Sequence, residues 1–144
     1  DKLYLIDRLG RYVTGFPISL GKEVLLGPDI YDFNGAKKYN VMVLHKDNTV
    51  EMYNLKGQKP ASWKGIASAE TIKNLPERLV VGGSSFWVVR TSIQTLIFPF
   101  YGGEPLTVFT GNQMIRPDSA VKAVDATTVD FTCYDGKIRT LKIK

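Results

Sequence analysis

Few residues in this chain are equipped for chemistry. It holds one histidine, His45, and one cysteine, Cys133. A single histidine cannot build a His-rich metal site, and His45 ends an extended stretch beside a turn. Cys133 lies between Thr132 and Tyr134 in a stretch that reads as strand, where a thiol packs as a small hydrophobe. One cysteine also excludes an intramolecular disulfide. No serine sits in a Gly-x-Ser-x-Gly elbow, and no His-Glu-x-x-His occurs. The run Asp29-Ile30-Tyr31-Asp32-Phe33-Asn34-Gly35 is faintly like an acidic calcium loop. Calcium takes six to eight oxygen ligands, whereas Lys37 and Lys38 follow where further acids belong. A plain turn is expected there. The residues therefore predict no enzyme, no metal and no cofactor.

Aromatic side chains are the remaining candidates for binding. Tyr12, Tyr39 and Tyr101 fall near turns, where they could meet a protein partner. Trp63 and Trp87 are the side chains suited to stacking on a sugar ring, although their places in the pattern below also suit a core.

The chain has 144 residues, enough for one domain with a sizeable core, and is 44% hydrophobic and 23% charged. The net charge of +5 comes from scattered lysines and arginines. Specific nucleic-acid modules cluster their basic residues on one face, so no nucleic-acid partner is expected. In the tail, Lys137 to Lys144, charges alternate with apolar residues, the pattern of a half-buried strand. No run of eighteen apolar residues occurs, so no transmembrane helix is expected. The opening residues do not read as a signal peptide, and none is expected within this sequence. The chain opens on Asp1 and enters a strand almost at once, which reads as a piece of something longer.

The elements that would position these residues recur. Val41–Gly57 reads as a β-hairpin: strand, polar turn at Lys46-Asp47-Asn48, strand. The pattern returns without a gap 45 residues later at Phe86–Gly102 and again at Val129–Lys144. Its closing half opens the chain at Leu3–Gly10. Gly10 and Gly57 are 47 residues apart, as are Phe16 and Trp63. Between the hairpins lie short extended stretches at 11–18, 24–26, 29–33, 79–81, 106–109 and 121–124, punctuated by Gly, Pro, Asn and Asp. Asn34-Gly35 and Asp135-Gly136 are favoured hairpin turns. Residues 66–75 read either as a short helical turn or as loop plus strand, with Pro76 ending the segment.

Each copy thus holds about four short strands over 43 to 47 residues. That period and strand count mark a β-propeller blade. The expected fold class is all-β, with antiparallel four-stranded repeats over 1–20, 21–65, 66–109 and 110–144, forming one region across 1–144. A β-sandwich also spaces strands this closely, but it needs no internal period. Three blades and a partial one do not close a ring. The expectation is a fragment of a larger propeller or a ring completed by a second copy.

The phrases LYLIDRLGRYVTGFPISL and VEMYNLKGQKPASWKGI resemble blades of PQQ-like or BamB-like β-propellers. They look closest to repeats of uncharacterised bacterial cell-envelope propellers, which read "strand, D/N-x-x-G, strand ending in an aromatic". Asp7-Arg8-Leu9-Gly10 and Asn54-Leu55-Lys56-Gly57 match the turn, and Phe16 and Trp63 match the aromatic. Pro99-Phe100-Tyr101-Gly102 departs from it. The quinoprotein docking phrase is absent, so the resemblance implies no quinone. It implies an extracytoplasmic scaffold that binds protein, through self-association or the remainder of a longer chain, with carbohydrate or small-ligand binding as the alternative.

Overall fold

A computed structural model describes residues 1–33 and 38–143. Every extended element in it pairs antiparallel. The chain divides into two compact units, Asp1–Ala69 and Glu70–Lys144.

The first unit holds two sheets. In the first, β1 (Lys2–Leu3) pairs with β2 (Ile18–Ser19). The second is a four-stranded meander of β3 (Val24–Phe33), β4 (Lys38–His45), β5 (Thr49–Asn54) and β6 (Ile66–Ala67). The other unit repeats the plan. Its third sheet is a meander of β7 (Glu77–Val81), β8 (Ser84–Arg90), β9 (Gln94–Pro99) and β10 (Thr107–Thr110). A turn of 3-10 helix at Gly111–Gln113 leads to the fourth sheet, β11 (Lys122–Ala123), β12 (Thr128–Thr132) and β13 (Ile138–Lys142). That sheet has three strands.

Several expectations shift. The stretches at 24–26 and 29–33 are one strand, β3, with register breaks around Leu26 that let it pass Gly27-Pro28 as bulges. The Asn34-Gly35 turn, and with it the end of the faint calcium loop, lies outside the described residues. Residues 66–75 adopt loop plus strand: β6, then a bridge from Ile72 to Thr91. Ile66 and Ala67 close the second sheet, and Thr110 closes the third. The 65/66 boundary therefore falls just before β6, and the 109/110 boundary falls before the last residue of β10.

The two D/N-x-x-G turns are alike bond for bond. Gly10 N–H donates to Asp7 O (3.0 Å), and Gly57 N–H donates to Asn54 O (3.0 Å). Asp7 Oδ1 accepts from the Leu9 and Arg11 amides, and Asn54 Oδ1 accepts from those of Lys56 and Gln58. A side-chain oxygen two residues upstream of an amide is what this turn needs, so Asp and Asn interchange. Pro99 has no such oxygen, yet Gly102 N–H still reaches Pro99 O (2.9 Å).

The ungapped 45-residue match holds for β5 and β9 but slips by one in the preceding strands. Leu44 pairs with Val50 across five turn residues, whereas Arg90 pairs with Thr95 across four. Val41 therefore corresponds to Trp87, not Phe86. The slip matters because one residue reverses the face a side chain occupies.

With that register each sheet has two distinct faces. The A face of the second sheet carries Val41, Val43 and Tyr53, and the inner residues of the first sheet, Leu3, Leu5 and Ile18, pack on it. The A face of the fourth sheet carries Val129, Phe131 and Cys133. The third sheet packs on it with its B face, Leu79, Phe86, Val88 and Ile97. Phe109 adds a ring contact to Phe131, centroids 5.1 Å apart. In both units, then, a B face covers the A face of the sheet that follows. The B-face residues Met42, Leu44, Val50 and Met52, and the A-face residues Trp87, Val89 and Phe98, are also buried. This double burial explains the unbroken apolar runs in β4 and β8.

Candidate functional site

The fold leaves one apolar A face open. In the first sheet Leu3 and Leu5 point to the second sheet, so the alternating residues Tyr4 and Ile6 point away. Ile6 bridges to Tyr12, and the Tyr4 and Tyr12 rings lie 5.9 Å apart. Tyr4, Ile6 and Tyr12 are 51%, 54% and 60% exposed. Ile6 occupies the place that Tyr53, at 6% exposed, occupies in the second sheet. The Asp7–Arg11 pair (3.0 Å) borders the patch. Backbone amide donation from Arg11, ahead of that from Leu9, holds the Asp7 carboxyl below its usual range.

Of the sequence candidates, Tyr12 alone lies on this face. Tyr39 is partly exposed on β4, opposite Asp32. Trp63 is half-buried and donates Nε1–H to Glu51 Oε2 (3.0 Å), an oxygen that also meets Lys59 Nζ (3.2 Å). Trp87 is wholly buried, so it offers no ring to a ligand in solvent. Its Nε1–H donates to Phe100 O (2.9 Å), and its ring stacks on Phe100 at 6.1 Å. Tyr101 meets Phe100 edge-on at 4.8 Å and stays 44% exposed. Trp87 and Tyr101 thus belong to one aromatic group through Phe100.

A second feature is the B face of the fourth sheet. Where the second sheet places Met42, Leu44, Val50 and Met52, the fourth places Asp130, Thr132, Ile138 and Thr140. An open hollow of about 430 Å³ lies here, lined by Asp118, Ser119, Lys122, Asp130, Thr132 and Ile138. Its polar groups are largely engaged with one another. Thr140 Oγ1–H donates to Asp130 Oδ1 (2.5 Å), Arg116 pairs with Asp118 (2.6 Å), and the Thr132 amide donates to Ser119 Oγ (2.9 Å).

Tyr4, Ile6 and Ile138 escaped the sequence reading. The signal for the first two was present: in a strand with Leu3 and Leu5 buried, Tyr4 and Ile6 must face the other way. Among the described residues no group of three or more His, Cys, Asp and Glu side chains is placed to hold a metal ion. None of the described helical turns is long and apolar enough to cross a membrane. No protein-family model, no curated protein and no solved structure matches this chain.

Proposed function

We propose that this chain is a non-enzymatic scaffold of the β-propeller type that works by protein contact, with the A face of its first sheet as the contacting surface. Its antiparallel meanders, packed within each unit with the B face of one sheet on the A face of the next, fit the arrangement from which propeller blades are built. The observation that carries the contact role is the exposure of Tyr4, Ile6 and Tyr12. The same face is covered by a neighbouring sheet in both the second and the fourth repeats. Three neighbouring exposed apolar side chains beside the Asp7–Arg11 pair favour a contact role for this face. Its occupant is an apolar sheet face of the kind that Leu3, Leu5 and Ile18 present to the second sheet. By its resemblance to envelope propellers we read such a scaffold as extracytoplasmic.

Light scattering of the chain over a range of concentrations tests the contact role. Association that grows with concentration and disappears when Ile6→Lys is combined with Tyr12→Glu is expected. A mass that stays monomeric, or that ignores these substitutions, overturns the contact role and leaves the sheet architecture standing.

A carbohydrate or small polar ligand is the second reading, favoured by the hollow on the fourth sheet. Its lining offers a lysine, two carboxylates and hydroxyls beside the apolar Ile138. Neither tryptophan lines it.

A further inference from the structure

A recess of about 110 Å³ lies wholly within the second unit. Its walls are the segment entering β7, the turn between β8 and β9, and the segment entering the fourth sheet. The buried residues Thr95, Met114 and Ile115 line its floor, with Arg90 beside them. Lys73, Asn74 and Tyr134 are exposed and form its mouth. Backbone bonds fix both sides of that mouth. Lys73 N–H donates to Arg90 O (3.0 Å), and Tyr134 N–H donates to Met114 O (2.9 Å).

The lining offers donors and positive charge, and among the described residues it includes no carboxylate. Thr95 is 1% exposed. Its Oγ1 accepts from Ile115 N–H (3.2 Å), but among the described residues its own hydroxyl proton has no acceptor. A buried donor without an acceptor is costly, and an acceptor inside the recess would satisfy it. Thr91, on the same wall, already donates to Gln94 O at 3.3 Å. Arg90 is paired with Glu77 (3.0 Å), whereas no described carboxylate pairs with Lys73. Met114 and Ile115 add a hydrocarbon surface. Liquid water takes about 30 Å³ per molecule, so the recess holds about four non-hydrogen atoms.

We infer that this recess binds a small carboxylate, a –CH2–COO⁻ group whose oxygen accepts from the Thr95 hydroxyl and whose charge is held at the mouth by Lys73. Its methylene lies on Met114 and Ile115. Hydrogen bonds to an ionised acceptor are roughly twice as strong as neutral ones, which favours the anion over an amide of the same shape. The group comes either from a free short-chain acid or from an acidic side chain of a protein partner. The site stands apart from the contact face of the first sheet and does not rest on that reading.

Proton–nitrogen NMR of the whole chain, titrated with sodium propionate at fixed ionic strength, tests this. The amides of Thr95, Ile115 and Tyr134 are expected to shift and saturate together. Propionamide should bind about tenfold more weakly. N-acetyl-glutamate amide carries the same carboxylate on an amino-acid backbone. Tighter binding of this probe than of propionate assigns the group to a partner's side chain, and otherwise to a free acid. Lys73→Met, at an exposed position that leaves the fold intact, should weaken propionate about fivefold, and Lys73→Arg should restore most of the loss. Thr95→Val should abolish binding while Thr95→Ser keeps it. If Thr95→Val does not fold, the two Lys73 variants carry the test. Three results overturn the inference: no saturable shift, equal binding of propionamide, or unchanged binding in Lys73→Met. Shifts scattered over surface lysines would mean an adventitious ion only and would overturn it as well.

Discussion

Arg90 joins two sheets by reaching the main chain of Ser119, its Nη2 donating to that carbonyl at 3.1 Å. The same guanidinium donates from Nη1 to the carbonyls of Ile115 (3.2 Å) and Arg116 (3.0 Å), and from Nε and Nη2 to Glu77. All five donors are therefore used. The head sits where the segment leading into the fourth sheet passes the end of β8. Leu44 holds the equivalent position in the second sheet, so an ordinary B-face site has here become a fastener.

Truncating Arg90 strands three carbonyls. The ion pair itself adds little, because Glu77 is about half exposed. Most of the loss comes from the carbonyl bonds. Arg90→Ala is expected to lower unfolding free energy by about 2–4 kcal/mol. Arg90→Lys recovers a minor part, since an ammonium cannot reproduce the planar fork. Urea denaturation followed at Trp87, in the same unit, measures both. Equal stability of the three proteins would show that Arg90 is ornamental.

Sequence periodicity disclosed the repeat because a D/N-x-x-G turn fixes backbone bonds that only a few residue types supply. Gly10 and Gly57 mark it plainly. The face assignment was not legible. With β4 and β8 apolar on both faces, sliding Phe86 onto Val41 costs nothing in hydrophobic pattern. The single residue missing from the 91–94 turn leaves no other trace. The open contact face hid for a related reason: Tyr4 and Ile6 look like core until Leu3 and Leu5 are known to occupy the other side. Trp87 was ambiguous between ligand stacking and core, and burial by its own neighbours places it in the core. Ile138 gave no sign at all, because in a tail where charged and apolar residues alternate its face is set only by the register that pairs it with Thr132.

The hairpin that presents β13 is clasped by Asp135 and Arg139, with Nη1–Oδ1 and Nη2–Oδ2 distances of 2.9 and 2.7 Å. Donation from the Arg139 guanidinium, then from the Lys137 amide, holds the Asp135 carboxyl down at about 2. A carboxyl depressed in the folded state favours folding above its unfolded value of 3.8. That contribution fades as pH falls from there through about 2. A carboxyl-detected NMR titration should find Asp135 still ionised at pH 3. In Arg139→Gln the midpoint should rise toward 3.8. An unmoved midpoint would mean that the clasp is not formed in solution.

His45, Thr91 and Cys133 open the corresponding turns of three sheets, and all three are buried. Thr91 satisfies its hydroxyl locally, accepting from the Gln94 amide at 2.9 Å. His45 is fully buried, and among the described residues neither ring nitrogen has a hydrogen-bond partner. A buried polar group without a partner costs roughly 1–3 kcal/mol relative to an apolar group of similar size. His45→Leu should therefore raise stability by about 1–2 kcal/mol, the lower half of that range allowing for imperfect repacking. Thr91→Val, at the equivalent position, should lower it by about 1 kcal/mol, because the turn loses its acceptor. Thermal melting of the two variants beside the unaltered chain measures the contrast. Opposite signs are the expected result. A loss of stability in His45→Leu as large as in Thr91→Val would show that the imidazole holds a bond the fold depends on.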